Sequence, residues 1–316
     1  MKKNVALFGL GRIGVMHAKN IIQNSSLRLK YIFDINQKIS KVYSKKLKCI
    51  YLKNPSKAFS DKSIHIIFIS STTSTHIPLI TKSVKNKKIV FCEKPLDLNI
   101  NKVIKCKKYI NKYKPKIQLG FNRRYDPGHF ALKKSLLMGK IGKLEKIIIT
   151  SRDPAPPPFN YLKSSGGIFR DMTIHDFDMA RFYLGNDEIK EIFATASNIS
   201  NKRFNDINDY ELATCVLKSK TGVICTISNS RHYKYGYDQR IEIFGNKGCL
   251  ISKNKKKYNF FIDRYKTAYK LQLQDLVNLA NKNKKPRASF IDGEKALLLA
   301  NAAYKSLLTK KVIKIG

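Results

Sequence analysis

The chain has 316 residues, with 62 Lys and Arg against 22 Asp and Glu, a formal net charge of +40 at pH 7. That length suffices for two domains with separate cores, and no apolar run approaches the roughly 20 residues of a membrane span. The lysines are scattered through stretches such as KISKVYSKKLK and NKVIKCKKYINKYKPK, not gathered in a basic block that alternates with aromatics. The charge therefore reads as compositional bias, and neither a specific nucleic-acid partner nor a membrane is expected.

The N-terminus runs straight into a short strand, without the apolar core and small-residue cleavage site of a signal peptide. Cys49, Cys92, Cys106, Cys215, Cys225 and Cys249 form no C-x-x-C pair. Their spread fits reduced thiols in a cytoplasm and predicts neither a disulfide framework nor a metal site.

Up to about residue 120, short apolar runs (NVALFGL, LRLKYIFD, IHIIFISS, KIVFCEKP, KIQLGFN) alternate with stretches of helical spacing such as RIGVMHAKNIIQN. Strands apolar on both faces, separated by helices, predict a doubly wound parallel sheet. The first run enters a turn with Gly9, Gly11 and Gly14. G-x-G-x-x-G alone is a weak signal, but here it follows a strand, opens a helix and precedes Asp34 at the end of the second run. Gly9 would allow the tight turn, Gly11 the approach of a pyrophosphate and Gly14 the helix–strand contact. Asp34 would accept from the ribose hydroxyls and repel a 2′-phosphate, which favours NAD over NADP. The predicted first domain is thus a Rossmann-type unit over residues 1–122. In FCEKP, Glu93-Lys94-Pro95 closes a strand at the ligand-binding edge of such a sheet, where Lys94 can donate to a hydroxyl or a developing alkoxide.

The rhythm then changes. EKIIIT, a proline-rich loop (DPAPPPFN) and a helix near 171–184 precede the runs EIFATAS, ELATCVL, GVICTISNS, QRIEIFG and CLISKN. Turns such as SKTG and GNKG suit an antiparallel sheet. Helices near 265–282 and 291–309 close the chain. Residues 123–316 are therefore expected to form an α+β domain with a large, mostly antiparallel sheet. In GGIFRDMTIHDFDMARFYLG, Asp171 and His175 stand four residues apart, on one helical face. A carboxylate there raises the basicity of the imidazole and fixes its tautomer. Asp176 and Asp178 point elsewhere, and Asp178 is a candidate structural partner.

GLGRIGVMHA, SSTTSTH, CEKPLDL, GFNRRYDPGH, the block from SRDPAPPP to DMTIHDFDMARF, and KYGYDQR together resemble the Gfo/Idh/MocA oxidoreductases, in particular their inositol dehydrogenases. One departure is Ser71-Thr72, where the superfamily usually has Thr-Pro before x-x-x-His; His76 is retained. The resemblance implies NAD-dependent oxidation of myo-inositol to its 2-keto product by Lys94, Asp171 and His175. It implies that Arg12, Ile13, Ser71 and Thr73 join the glycines and Asp34 around the cofactor, with His76, Glu93 and Lys94. It places the cyclic polyol against Arg124, Asp153, Tyr235 and Tyr237, and it implies a homotetramer. Where Arg124 and Asp153 do not touch substrate, they could pair with each other, and the two tyrosines could alternate along a strand.

Overall fold

The structure is a computed structural model that describes residues 2–282 and 284–315. It divides into two compact units, Met1–Phe121 with Tyr269–Glu294, and Asn122–Ala268 with Lys295–Gly316.

The first unit is built on β1 (Lys3–Phe8), β2 (Leu27–Phe33), β3 (Ile50–Tyr51), β4 (Ile64–Ile69), β5 (Ile89–Cys92) and β6 (Ile117–Leu119). All pairings are parallel, in the order β3-β2-β1-β4-β5-β6. The predicted runs become strands because their residues are buried on both faces: Val5 to Phe8 and Ile66 to Ile69 are each without significant exposure. The connecting helices include Arg12–Gln23, Gln37–Leu47, His76–Lys85 and Ile100–Tyr113. Asn36 and Asn99 cap two of them by accepting from Ile39 and Asn101 N–H.

A single cut near residue 122 does not describe the chain. The helix Lys266–Lys282 sends Leu273, Leu276, Val277 and Leu279 into the core of the first unit, among Val5, Leu7, Ile66, Phe68 and Phe91. Gln118 Nε2 reaches Gln272 O at 3.0 Å, which fastens β6 to the same helix. An apolar stripe alone says which face of a helix is buried, not which core receives it.

The second unit carries β7 (Leu144–Arg152), β8 (Ile189–Ser197), β9 (Leu212–Ser219), β10 (Ile224–Ser230), β11 (Asp238–Gly245), β12 (Gly248–Ser252) and β13 (Ile313–Lys314). The order is β12-β11-β7-β10-β9-β8-β13, antiparallel except for β7–β10. Period-two burial puts Ile147, Ile149, Cys215, Leu217, Ile227, Ile241 and Ile243 on one face. Phe177, Ala180 and Tyr183 of the helix Ile174–Leu184 cover that face, with Leu299, Ala300 and Ala303 of the helix Phe290–Thr309. The opposite face stays open. No helix among the described residues is long and apolar enough to cross a membrane.

Leu276 has no exposed surface. Leu276→Ala should therefore destabilise the first unit by on the order of 2–5 kcal/mol, read as a lower urea midpoint. A change below about 0.5 kcal/mol would show that this helix does not belong to that core.

Candidate functional site

In the first unit, the segments after β1, β2, β4 and β5 share the carboxyl edge of one parallel sheet, and the strand order reverses between β1 and β4. Ligands bind at such a reversal in open α/β sheets. Gly9 has φ +92°, a left-handed conformation, and a Cβ there would stand 2.5 Å from Ser70 O. A Cβ on Gly14 would stand 2.0 Å from Gly9 O, so the helix can meet the turn only through glycine. Gly11 differs, because a Cβ there would meet nothing of the protein within 4 Å. No packing within the chain requires this glycine, which leaves room for a ligand to approach the backbone.

Gly11 is the N-cap of the helix Arg12–Gln23, with no side-chain cap and no acidic residue in the first turn. Its opening N–H groups suit an anionic ligand. Arg12 is exposed there and Ile13 is half-buried. One Asp34 oxygen accepts from Leu10 N–H at 2.7 Å and the other from Asn36 N–H at 2.9 Å. That fastens the glycine turn to the end of β2. A carboxylate offers about four acceptor positions, so capacity remains for ribose hydroxyls.

His76 is buried, with Nδ1 2.7 Å from Pro95 O and Nε2 3.0 Å from Ser71 O. Both ring nitrogens face backbone carbonyls, so His76 ties the Ser71 segment to the Lys94-Pro95 segment and does not itself reach outward. Burial pushes its pKa down, against the pull of the two carbonyls. A neutral ring donates to one carbonyl only. The Ser71 hydroxyl lies 2.6 Å from that of Thr75, across a 3₁₀ turn that opens at Thr73. Glu93 Oε1 sits 2.8 Å from Nε2 of buried His17, and its Oε2 lies 3.3 Å from Lys94 N–H. The acid thus holds the backbone just before half-buried Lys94. His17 escaped the sequence reading, since one histidine in an amphipathic helix reads as core.

In the second unit, the helix near 171–184 begins earlier and differently than its spacing predicts. Phe169–Thr173 is a π-turn that leads into the α-helix Ile174–Leu184. Such turns concentrate at functional sites, and this one carries Asp171 while His175 opens the α-helix. Tyr161 donates to Asp171 Oδ1 at 2.7 Å, and Arg231 Nη1 donates to Oδ2 at 3.2 Å. Arg231 has no exposed surface, and its Nη2 lies 3.3 Å from Asp209 Oδ2. Burial, then the Asp171 carboxylate, push the Tyr161 phenol up, so it remains a donor.

The next turn is pinned by two arginines. Arg124 holds Asp178 with two parallel hydrogen bonds of 2.8 and 2.7 Å and stacks on Phe182. Arg123 holds Asp176, which also accepts from Ser151 at 2.6 Å and Asn229 at 2.8 Å. Arg124 is thus a partner of Asp178. Asp153 is half-buried and close enough to Arg123, Tyr161 and Tyr237 to act on their charges. Tyr235 and Tyr237 do not share a strand face. Gly236, at φ +106°, turns the chain between them; Tyr235 is 75% exposed and Tyr237 is 4% exposed. Tyr237 lies inside, its hydroxyl 3.5 Å from Arg123 Nη2. Arg123, Arg231, Asp209 and Tyr161 were missed in sequence. An arginine at a strand end reads as solvated until its burial is seen.

Residues 3–121 match the model of an oxidoreductase family with an NAD-binding Rossmann fold, and residues 129–251 match the Gfo/Idh/MocA C-terminal domain. The chain is 38% identical over 336 aligned residues to an inositol 2-dehydrogenase of Rhizobium meliloti, with all of both chains covered. It is 38% identical to a myo-inositol 2-dehydrogenase of Thermotoga maritima over 98% of each chain. The solved structure of a myo-inositol dehydrogenase from Corynebacterium glutamicum superposes with a TM-score of 0.95 at 39% identity, over 100% of this chain and 99% of that one. The cofactor is NAD, and the open Gly11, the uncapped helix and Asp34 fit it.

Two glycine variants separate packing from binding. Gly11→Ala should leave the melting temperature nearly unchanged while NADH binding, followed by fluorescence, weakens roughly tenfold or more. Gly14→Ala should cost roughly 1–3 kcal/mol of stability as well. Full NADH affinity in Gly11→Ala would place the pyrophosphate elsewhere. Asp34→Ala should narrow the preference for NAD over NADP in paired titrations; an unaltered ratio would remove Asp34 from that choice.

Proposed function

The chain belongs to the Gfo/Idh/MocA oxidoreductase family, and from that premise we propose that it oxidises myo-inositol to its 2-keto product with NAD, through Lys94, Asp171 and His175. The observation that carries this reading is a carboxylate, Asp171, held by Tyr161 and Arg231 one turn before a half-buried imidazole.

In this reading His175 takes the proton of the reacting hydroxyl on a ring nitrogen. Asp171 keeps the imidazole oriented and basic. Lys94 donates to the same oxygen and offsets its growing negative charge. NAD, when bound, supplies the hydride acceptor. Gly9, Gly11 and Gly14 shape the backbone for its pyrophosphate, and Asp34 receives its ribose hydroxyls. Among the polyol contacts, Asp153 is retained for the ring hydroxyls. Arg124 and Tyr237 act from behind, since they are buried against Asp178 and Arg123. A site that bonds each hydroxyl discriminates against analogues that lack one, because buried polar groups would be left unpaired.

The open face of the second sheet exposes Phe193, Val216, Ile224, Phe244 and Ile251. We assign it to self-association, as a homotetramer, and the six unpaired cysteines to a reducing cytoplasm.

The test is NADH formation, followed by absorbance, with NAD and a panel of inositol isomers and aldoses. Turnover should be fastest with myo-inositol, and His175→Ala should lower kcat by roughly 10²–10⁴ with NADH binding intact. Turnover of scyllo-inositol or an aldose alone would move the substrate. NAD binding without any turnover would defeat the dehydrogenase reading.

A further inference from the structure

Three charged side chains of the second unit form a line that the roles above do not use in full: Asp171, Arg231 and Asp209. Arg231 leaves the end of β10, where its own N–H donates to Glu211 O at 2.8 Å. Its guanidinium is completely buried and lies between two carboxylates, 3.2 Å from Asp171 and 3.3 Å from Asp209. A fully buried arginine is uncommon and persists only where it is paired.

The second carboxylate is itself anchored. Asp209 Oδ1 accepts from Ile168 N–H and from Tyr210 N–H, each at 2.7 Å. Ile168 is the residue just before the π-turn that carries Asp171. Asp209 therefore fixes both the start of that turn and the far side of Arg231. Two carboxylates on one guanidinium leave a net negative charge. Burial raises the pKa of Asp209, while Arg231 opposes the rise.

We propose that Arg231, braced by Asp209, is a positioning residue that keeps Asp171 ionised and aimed for its work on His175. This rests on the dehydrogenase reading given above. Tyr161 and Arg231 contact Asp171, and Asp209 and Asp153 are near enough to act on it or on Tyr161. Of these four groups Arg231 is the cation. Its loss raises the pKa of Asp171, because an opposite charge in contact favours the ionised form. Protonated Asp171 no longer supports a basic imidazole. The acid limb of the kcat profile therefore moves to higher pH.

Arg231→Gln alone takes the guanidinium from both Asp171 and buried Asp209 and risks misfolding. The informative variant is the double change Arg231→Gln with Asp209→Asn, which removes the cation and one anion together and keeps hydrogen-bonding amides in place. Its melting temperature should stay near that of the parent, and its KM for NAD should be unchanged. Its kcat should fall roughly tenfold or more, a part of what acid–base catalysis supplies, with the acid limb shifted upward. Independently of turnover, the Asp171 carboxyl, followed by ¹³C NMR in aspartate-labelled protein and assigned with Asp171→Asn, should titrate at higher pH than in the parent.

A folded double variant that turns over like the parent, with Asp171 titrating as before, would overturn the proposal and leave Arg231 a counterion of Asp209. A lowered kcat with an unmoved Asp171 titration would also overturn it, since a support that only packs has no hold on that carboxyl. If the parent oxidises no polyol, the dehydrogenase reading fails by itself, and the Asp171 titration alone decides whether Arg231 governs this carboxylate.

Discussion

The ion pairs Arg123–Asp176 and Arg124–Asp178 fix the rotation of the helix Ile174–Leu184, and the second unit's chemistry depends on that rotation. The helix is buried around most of its circumference: Ile174, Asp176, Phe177, Asp178, Met179, Ala180 and Tyr183 are all inside. A helix without one apolar stripe has no hydrophobic preference for a single orientation. Directional hydrogen bonds supply it. Asp176 accepts from Arg123, Ser151 and Asn229, and Asn229 in turn accepts from Thr173 at 2.6 Å. Such pairs lose several kcal/mol per ion in desolvation, which is recovered only when most acceptor positions are filled, as they are here. Their result is geometric. Holding Asp176 and Asp178 on their arginines fixes the position of His175 on the same helix.

The first unit solves the same task with backbone. Its ligand-facing groups lie on short segments after parallel strands, which have no helix or sheet ladder of their own to hold them. Asp34 fastens the glycine turn through Leu10 N–H, Glu93 is held by His17, and His76 joins the carbonyls of Ser71 and Pro95. Each tie satisfies a buried polar group that would otherwise cost stability, and each restrains a neighbour of a residue with a proposed role. Several residues that the family resemblance places at the cofactor thus also brace the segments around it.

The parallel sheet was legible because strands buried on both faces show as continuous apolar runs, and the dinucleotide turn because three separate signals coincide around Gly9. Spacing made Asp171 and His175 candidates for a pair. The π-turn was not. A change from i→i+4 to i→i+5 bonding over Phe169–Thr173 leaves no periodic mark in sequence. The return of residues 269–294 to the first unit was hidden as well, since Leu273, Leu276 and Val277 would fit either core. Arg231 was hidden for a different reason. Its partners, Asp171 and Asp209, stand 60 and 22 residues away, and a pairing of that range cannot be read from local pattern. The two tyrosines misled because Tyr-Gly-Tyr mimics strand alternation, whereas the positive φ of Gly236 breaks it.

The large positive charge is a surface property, and its contrast with the interior explains how a chain this basic keeps an acid–base site. Among the described residues, four Lys and Arg are buried against eight Asp and Glu, in a chain with 62 and 22 of them. Three of those four cations, Arg123, Arg124 and Arg231, pair with carboxylates; the fourth, Lys88, donates to the carbonyls of Asp61 and Ile64. Each buried cation is therefore met by a carboxylate or by backbone carbonyls. The exposed lysines act at longer range, where ionic strength within about 10 Å screens them. They can attract an anionic cofactor from solution, whereas Asp171 has Tyr161 and Arg231 in direct contact, at 2.7 and 3.2 Å, a range at which an interaction is screened far less than that of the distant lysines.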